Sequence, residues 1–195
     1  MKKLSLSLLL IGSFCALSTI KAQSSCSGVF LTSNDLSTGN LYYAYTGNGS
    51  RPSDYDLLTE KKIVINQLGS ITQVDKKNIY AIEDCNGKII RIYKGGYYTL
   101  LNPGENMSIY MVVQNPASKG DIATNKYYFS KNSNSEIKEL TVDNLEAAFP
   151  DFRQFNDAMK VIYKTDKELF ASIYADKNLS KRSSTYMAYV KYDEK

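Results

Sequence analysis

Histidine, the side chain on which much nucleophilic and metal chemistry depends, is absent from all 195 residues of the sequence. Without it, neither a Ser-His-Asp triad nor a Cys-His pair can form, and the commonest metal ligand is missing. Zinc sites without histidine need several cysteines, and the two that remain once a predicted leader over 1–22 is removed are too few. This leaves carboxylate chemistry, a Ser–Lys pair or a hard-cation site. None of these has a pattern strong enough to predict it, so we expect neither a metal site nor a cofactor.

Ser135 and Lys138 have the spacing of the S-x-x-K motif of penicillin-recognising enzymes. In those enzymes the two residues share a helix face, and two further motifs complete the site. Here Asn132-Ser133-Asn134 indicates a turn into a strand, and Lys164-Thr165 is followed by Asp166 rather than glycine. We interpret the spacing as coincidence.

Carboxylates offer the remaining catalytic hypothesis, a hydrolase acting on glycans. Such an enzyme needs two carboxyl groups about 5–10 Å apart in a cleft. Glu83 and Asp84 are adjacent in a predicted strand and would point to opposite faces. Asp54 and Asp56 lie two apart in a predicted loop and could share a face or a calcium ion. Solvated charges are the favoured interpretation of both pairs, so the sequence argues against an enzyme.

Tyrosine is in excess, with 16 tyrosines against 7 phenylalanines and no tryptophan. Three doublets, Tyr42-Tyr43, Tyr97-Tyr98 and Tyr127-Tyr128, fall in predicted strands, so one member of each should face the core and the other outward. Outward tyrosines on adjacent strands could form a platform for a sugar or a peptide. The candidate platform residues are Tyr43, Tyr97, Tyr98 and Tyr127. The favoured alternative is that tyrosine is simply a strand former that tolerates half-burial.

The N-terminus has the pattern of a secretory signal peptide. Lys2 and Lys3 precede a largely apolar run over 4–17, and Ala22 supplies a small residue in front of Gln23. We predict a signal peptide over residues 1–22, cleavage between Ala22 and Gln23, and a mature domain over 23–195. The protein is then secreted or periplasmic, and no apolar run in the mature chain is long enough to span a membrane.

Cleavage changes the meaning of the cysteines. It removes Cys15 and leaves Cys26 and Cys85, which we expect to form a disulfide in an oxidising compartment. A loop this long would stabilise the fold by about 4 kcal/mol in the chain-entropy model. The alternative is two free thiols, one of them a nucleophile, but no histidine is available to activate it. Lipoprotein anchoring at Cys26 is less favoured, because the residues before it do not form the usual box.

Charge limits the possible partners. The predicted leader carries three lysines and no acid, so the net charge of +4 falls to +1 in the mature chain. A nearly neutral chain without a basic run does not favour nucleic acid as a partner. A glycan or another envelope protein remains possible.

Residues 28–140 have the pattern of a β-rich region, with short β-prone runs separated by turn residues. Turns are expected at 34–35 and 38–40, and the Asn86-Gly87 pair predicts a hairpin through a type I′ turn. Alternation from Met107 to Val113 predicts a strand with one buried face. The region should form an antiparallel meander, arranged as an open barrel or a sandwich.

Residues 141–190 change to a helical period. Thr141, Asp151 and Asp166 are candidate N-caps of three successive helices. The second helix has an apolar stripe and the third a shorter one, which comprise Phe152, Phe155, Met159, Ile162 and Tyr163, and then Leu169, Phe170, Ile173 and Tyr174. The predicted fold class is therefore α+β, a β meander followed by C-terminal helices in a single domain.

Three blocks of residues carry a resemblance to other proteins. They are Phe30–Thr32 with Asp35, Asp84–Lys88 with Arg91 and Tyr93, and Tyr127–Ser130 with Ala148–Asp151. In these blocks the mature chain resembles a group of uncharacterised secreted proteins of Bacteroidetes bacteria. The resemblance implies a location in the cell envelope. It does not indicate any particular activity, because none is assigned to the group. Together these features predict a non-catalytic envelope or binding protein, with the glycan hydrolase and the tyrosine platform as alternatives.

Overall fold

A computed structural model describes residues 27–45, 54–67, 69–104, 106–114 and 124–174. The predicted signal peptide and Cys26 lie outside the described residues, as does the end of the predicted helical region. The cleavage site and the Cys26–Cys85 disulfide therefore stay predictions.

The described strands form a single antiparallel sheet. The ten strands are β1 (Gly28–Phe30), β2 (Tyr42–Tyr45), β3 (Lys62–Gln67), β4 (Ser70–Asp75), β5 (Ala81–Glu83), β6 (Ile89–Tyr93), β7 (Gly96–Pro103), β8 (Ser108–Gln114), β9 (Thr124–Ser130) and β10 (Lys138–Glu139). Their spatial order is β10-β9-β8-β7-β6-β5-β1-β2-β3-β4. Two meanders, β1–β4 and β5–β10, thus meet where β1 pairs with β5. The sheet is not closed, since β4 and β10 end the order.

Five α-helices accompany the sheet in the described residues: α1 (Ser33–Thr38), α2 (Asp54–Thr59), α3 (Val142–Ala148), α4 (Phe152–Thr165) and α5 (Lys167–Tyr174). The last strand ends at Glu139 and α3 begins at Val142, close to the predicted change of period. The α+β class and the antiparallel meander followed by C-terminal helices are therefore confirmed.

The three predicted N-caps are confirmed. Thr141 Oγ1 accepts a hydrogen bond from the Asn144 amide at 3.3 Å. Asp151 Oδ1 accepts from two amides of the first turn of α4, and Asp166 Oδ1 does the same for α5. Each cap satisfies amides that have no partner within the helix, which is why these helices begin where they do.

Helices α3–α5 cover one face of the sheet at β8 and β9. Ile109 and Phe129 from the strands pack with Leu145, Phe155 and Ile162 from the helices in one buried cluster. The predicted apolar stripe of α4 is confirmed except at its first residue. Phe152 is 43% exposed, because the buried stripe is centred on Phe155, Met159 and Ile162 and the helix's first turn extends beyond the core.

A second buried cluster lies at the other end of the sheet. Val29, Ala44, Ile65 and Ile82 from four strands pack with Leu57 of α2. The predicted loop around Asp54 and Asp56 is wrong, because these residues belong to α2. Burial of Leu57, which is 1% exposed, gives this short helix its contact with the sheet.

The predicted turn at 34–35 is wrong, because these residues belong to α1, whereas the turn predicted at 38–40 falls at the end of this helix. Thr32 and Asp35 form a reciprocal capping box at its start, and Gly39 ends it in the left-handed conformation with φ of 71°. The same residue types favour turns and helix ends, so local sequence alone did not separate the two outcomes.

The hairpin at Asn86-Gly87 is confirmed, but its turn is not type I′. Gly87 has φ of 75°, and Lys94 is the one described non-glycine residue with positive φ. Cys85–Gly87 form a three-residue loop in which Asp84 Oδ1 accepts from the amides of Asn86 and Lys88, at 2.8 Å each. The two-residue turn with two positive φ values lies one hairpin later, at Lys94 (49°) and Gly95 (79°).

Truncation of Ile162 should show how much the helical core contributes to stability. Ile162 is fully buried in the α4 stripe, so Ile162→Ala removes packed methyl groups and should lower the free energy of unfolding by about 2–5 kcal/mol. Ile71→Ala is the matched control, because Ile71 is 79% exposed on β4, and its change should stay within about 1 kcal/mol. Urea unfolding of both variants measures the difference. Equal losses would contradict the packing of α4 on the sheet.

Candidate binding pocket

The strand register separates an apolar face from an aromatic, polar one. Ile109 and Phe129 pair across β8 and β9 and face the helices. Tyr110, the next residue along β8, therefore faces the opposite side, together with its cross-strand partner Tyr128. On the neighbouring strands, Arg91 of β6 pairs with Tyr98 of β7 on this same side. On this side of the sheet the charged residue Arg91 therefore lies among tyrosines.

Arg91 is buried inside an aromatic enclosure. It is 4% exposed, although arginine is rarely buried without a partner. Its guanidinium carbon lies 4.9 Å from the ring centroid of Tyr80, 5.4 Å from that of Tyr93 and 5.7 Å from that of Tyr110. These distances are those of cation–π contacts, which are strongest where water is excluded.

Hydrogen bonds fix part of the guanidinium. Its Nη1 donates to the Tyr110 hydroxyl at 2.8 Å and to Ser130 Oγ at 3.3 Å, and its Nη2 donates to the Ser135 carbonyl at 3.2 Å. Tyr110 and Ser130 are also hydrogen-bonded to each other at 3.0 Å. Nε is buried and has no hydrogen-bond partner. This N–H donor of the guanidinium is therefore unpaired.

No carboxylate of the described residues pairs with Arg91. The ion pairs in the described ranges are Lys94–Glu136, Lys126–Glu139 and Lys160–Asp157, and all three are exposed. The buried carboxylate of Asp84 accepts from backbone amides of its own turn. A buried charge is costly without an opposite charge. The described residues supply no negative charge that would offset the buried positive charge of Arg91.

A pocket of about 520 Å³ opens beside this cluster. Arg91, Tyr80 and Tyr110 line it together with the side chains of α1 and the apolar residues Ile89 and Leu100. Arg91 is the one charged side chain among the described residues of the lining. The volume suits a small molecule, and the mixture of apolar wall and a few polar groups is typical of ligand sites.

Tyr80 contributes a neutral hydroxyl to the pocket. Burial raises the pKa of Tyr80 to about 12, although the positive charge of Arg91 acts in the opposite direction. The hydroxyl donates to the Ser133 carbonyl at 2.6 Å, which fixes the ring against Arg91. Tyr80 therefore stays protonated at neutral pH and serves as a wall of the pocket rather than as a base.

The four predicted platform residues lie in different surroundings. Tyr98 joins the Arg91 cluster, with its ring 5.2 Å from that of Tyr128 and 6.4 Å from that of Tyr110. Tyr97 is its neighbour in β7 and faces the other side, where its hydroxyl donates to the Leu58 carbonyl at 2.8 Å. Tyr127 packs against the helical core and donates to Asp166 at 3.2 Å.

Tyr43 lies on β2 and is 45% exposed. Because Tyr97 and Tyr98 face opposite sides, the four residues do not share one surface. The expected split of each doublet also holds only in part, since Tyr127 and Tyr128 are both half-buried. Among the described tyrosines the fully buried one is Tyr110, which belongs to no doublet.

The residues that matter most here were not selected as candidates from the sequence. Arg91 was noted only as part of a resemblance, although its place between Ile90 and Ile92 in a predicted strand was a usable signal. Tyr110 carried the same signal, since it alternates with Ile109 and Met111. Their meeting with Tyr80 and Ser130 depends on pairing across several strands.

Among the side chains that the structure describes, neither the Ser–Lys hypothesis nor the carboxylate hypothesis finds a catalytic arrangement. Ser135 lies in a turn and Lys138 in β10, so they do not share a helix face. Glu60 and Asp75 line a separate depression beside Tyr97, but neither is buried. In the part of the chain that the structure describes, no group of three or more acidic or cysteine side chains could hold a metal ion.

Comparisons with known proteins add no assignment. No protein-family model, no curated protein and no solved structure matches this chain. None of the helices within the described residues is both long enough and apolar enough to cross a membrane. The pocket must therefore be judged on its own geometry.

The hydroxyl of Tyr110 should contribute measurably to stability. Tyr110→Phe leaves the ring but removes an acceptor for the buried guanidinium, and we expect a loss of about 1.5–3 kcal/mol in the free energy of unfolding. Tyr43→Phe makes the same change at an exposed ring and should stay within about 0.5 kcal/mol. Chemical denaturation measures both, and an unchanged Tyr110→Phe variant would count against the Arg91 network.

The capping box of α1, which holds one wall of the pocket, should make stability pH-dependent. Burial acts to raise the pKa of Asp35, but hydrogen bonds from Thr32 and Asn40 outweigh it, and the net pKa lies below the usual 3.8. A lowered folded pKa means that the ionised carboxyl stabilises the fold above about pH 4 and loses this effect as pH falls through the folded pKa.

The test compares the wild type with Asp35→Asn by urea unfolding at pH 7 and at pH 3. The difference in unfolding free energy should be larger at pH 7. Asp157→Asn, on the exposed side of α4, is the control for removing a surface carboxylate. A difference for Asp35→Asn that is equal at both pH values would contradict the role of the ionised carboxyl.

Proposed function

We propose that the protein is a secreted or periplasmic, non-catalytic binding protein of the cell envelope, and that its ligand site is the pocket beside Arg91. The observation that carries this proposal is a guanidinium that is 4% exposed, lies among three tyrosine rings and lines a pocket of about 520 Å³ with no carboxylate partner in the described residues. Perturbed or unpaired charges in a pocket are typical of functional sites.

The composition of the pocket supports binding rather than hydrolysis. Its described lining contains hydroxyl groups, aromatic rings and apolar side chains, but no aspartate or glutamate. A glycan hydrolase of the usual kind needs two carboxyl groups facing the substrate. Tyr80, whose pKa is about 12, is unsuited to accept a proton at neutral pH.

The proposed location rests on the N-terminal pattern of residues 1–22 and on the resemblance to secreted proteins of Bacteroidetes bacteria. A disulfide between Cys26 and Cys85 belongs to the same proposal. Cys85 lies in the exposed turn between β5 and β6, where a bridge would join the N-terminal segment to the second meander. Such a bridge would hold β5 close to β1, the contact at which the two meanders meet.

A ligand screen with a blocked pocket tests the proposed site. Protein expressed from the full-length sequence is screened against neutral and acidic glycans, peptidoglycan fragments and short peptides by saturation-transfer NMR. Ser37→Trp places a large ring at the α1 wall and should weaken the binding of each hit at least tenfold. Ser172→Trp is the matched control, since both serines are exposed on helices and donate to the carbonyl three residues earlier.

The control variant should bind as the wild type does. A screen without a hit in any class would overturn the proposed function. Hits that Ser37→Trp leaves unchanged would place the ligand site elsewhere on the protein and overturn the assignment of the pocket.

A further inference from the structure

We infer that the ligand of the Arg91 pocket is an acidic sugar, a hydroxylated ring whose single carboxylate binds the guanidinium of Arg91. This inference rests on the proposed function and deepens it, since it names the chemical class that the site would take.

The free donor of Arg91 points to an anion. Arginine has five N–H donors, and three described contacts go to Tyr110, Ser130 and the Ser135 carbonyl. Nε is buried without a partner, and a buried donor to which nothing is bound is destabilising. A carboxylate accepts hydrogen bonds from the planar edge of a guanidinium in a two-pronged geometry, and it would also supply the missing negative charge.

The charge of the pocket favours a carboxylate over a phosphate. Arg91 supplies one positive charge, and no other cation is found among the described residues of the lining. A monoanion balances this charge, whereas a phosphate monoester carries about two negative charges near pH 7. The second charge would have no opposite charge among the described residues of the lining, which is costly for a group held against the buried guanidinium.

The remaining lining suits a hydroxylated ring. Ser33 and Ser108 can exchange hydrogen bonds with sugar hydroxyls, while Ile89 and Leu100 offer apolar contacts to the ring carbons. Since Arg91 is only 4% exposed, a carboxylate reaches the guanidinium by displacing one of the tyrosine rings that enclose it. Tyr80 is the candidate, because it lines the pocket and covers the guanidinium most closely.

Three sugars with the same ring test the inference on the wild-type protein. Protein expressed from the full-length sequence and labelled with ¹⁵N is titrated with glucuronate, glucose and glucose 6-phosphate, and the Nε–H resonance of Arg91 is followed. Arg153, exposed on α4, is the internal control for unspecific anion effects. Glucuronate should shift the Arg91 resonance in a saturable way, glucose should not, and glucose 6-phosphate should bind at least tenfold more weakly.

Two substitutions test the geometry of the contact. Arg91→Lys keeps the charge but loses the planar edge, and Arg91→Met removes the charge; both should weaken glucuronate binding at least tenfold. Thermal unfolding shows whether the variants fold. If the variants do not fold, the titration of the wild-type protein with the three sugars is the test of the inference.

The outcomes separate this inference from the proposed function. If glucuronate leaves Arg91 unshifted, or if glucose or glucose 6-phosphate acts equally well, the acidic-sugar inference is overturned. Neutral glycans that bind and are lost in Ser37→Trp would still support the pocket as a binding site. Absence of any ligand in the screen and in the titration would overturn both.

Discussion

A buried guanidinium is the constraint on which the aromatic side of the sheet depends. Moving a charge out of water costs several kcal/mol, so the surrounding structure must offset that cost through contacts with Arg91. Three tyrosine rings, two hydroxyl groups and one backbone carbonyl do so, and they come from β6, β8, β9 and the segments next to β5 and β10. A slip of one residue between β8 and β9 would turn Ser130 to the other face. Arg91 thus keeps its hydrogen bond to Ser130 only in the observed strand register.

The two sides of the sheet have different physical tasks. The helical side buries Ile109 and Phe129 against α3–α5 and stabilises the fold through the hydrophobic effect. These apolar side chains have no polar atoms that need hydrogen-bond partners. The aromatic side pairs both Nη atoms of Arg91 with oxygen acceptors, but it leaves Nε of the same side chain without a hydrogen-bond partner. Arg91 also lines a pocket on this side. A stable apolar face can compensate for an energetically unfavourable site on the opposite face, which is a common relation between scaffold and function.

Much of the architecture could be predicted because its signals are local. Thr141, Asp151 and Asp166 cap helices through their own nearby amides, so the residue types alone located the helix starts. The alternation in β8 predicted the strand correctly, but its single buried face is wrong, because Ser108 and Tyr110 on the other face are buried too and Val113 is exposed. Predictions failed where one local signal serves two structures: Asp35 suits a turn as well as the start of α1, and Asn86-Gly87 suits more than one hairpin turn.

The sequence by itself determined the fold class, the starts of α3, α4 and α5 and the absence of histidine chemistry, because each depends on residue type or short-range period. Only the tertiary structure decided that Arg91 meets Tyr110, Ser130 and Ser135, which lie 19, 39 and 44 positions further along the chain. These contacts require that β6, β7, β8 and β9 pair successively in the observed register. They also require that the chain returns toward the sheet at β10. Pairing between strands is a property of the whole sheet, so no single segment contains the pocket.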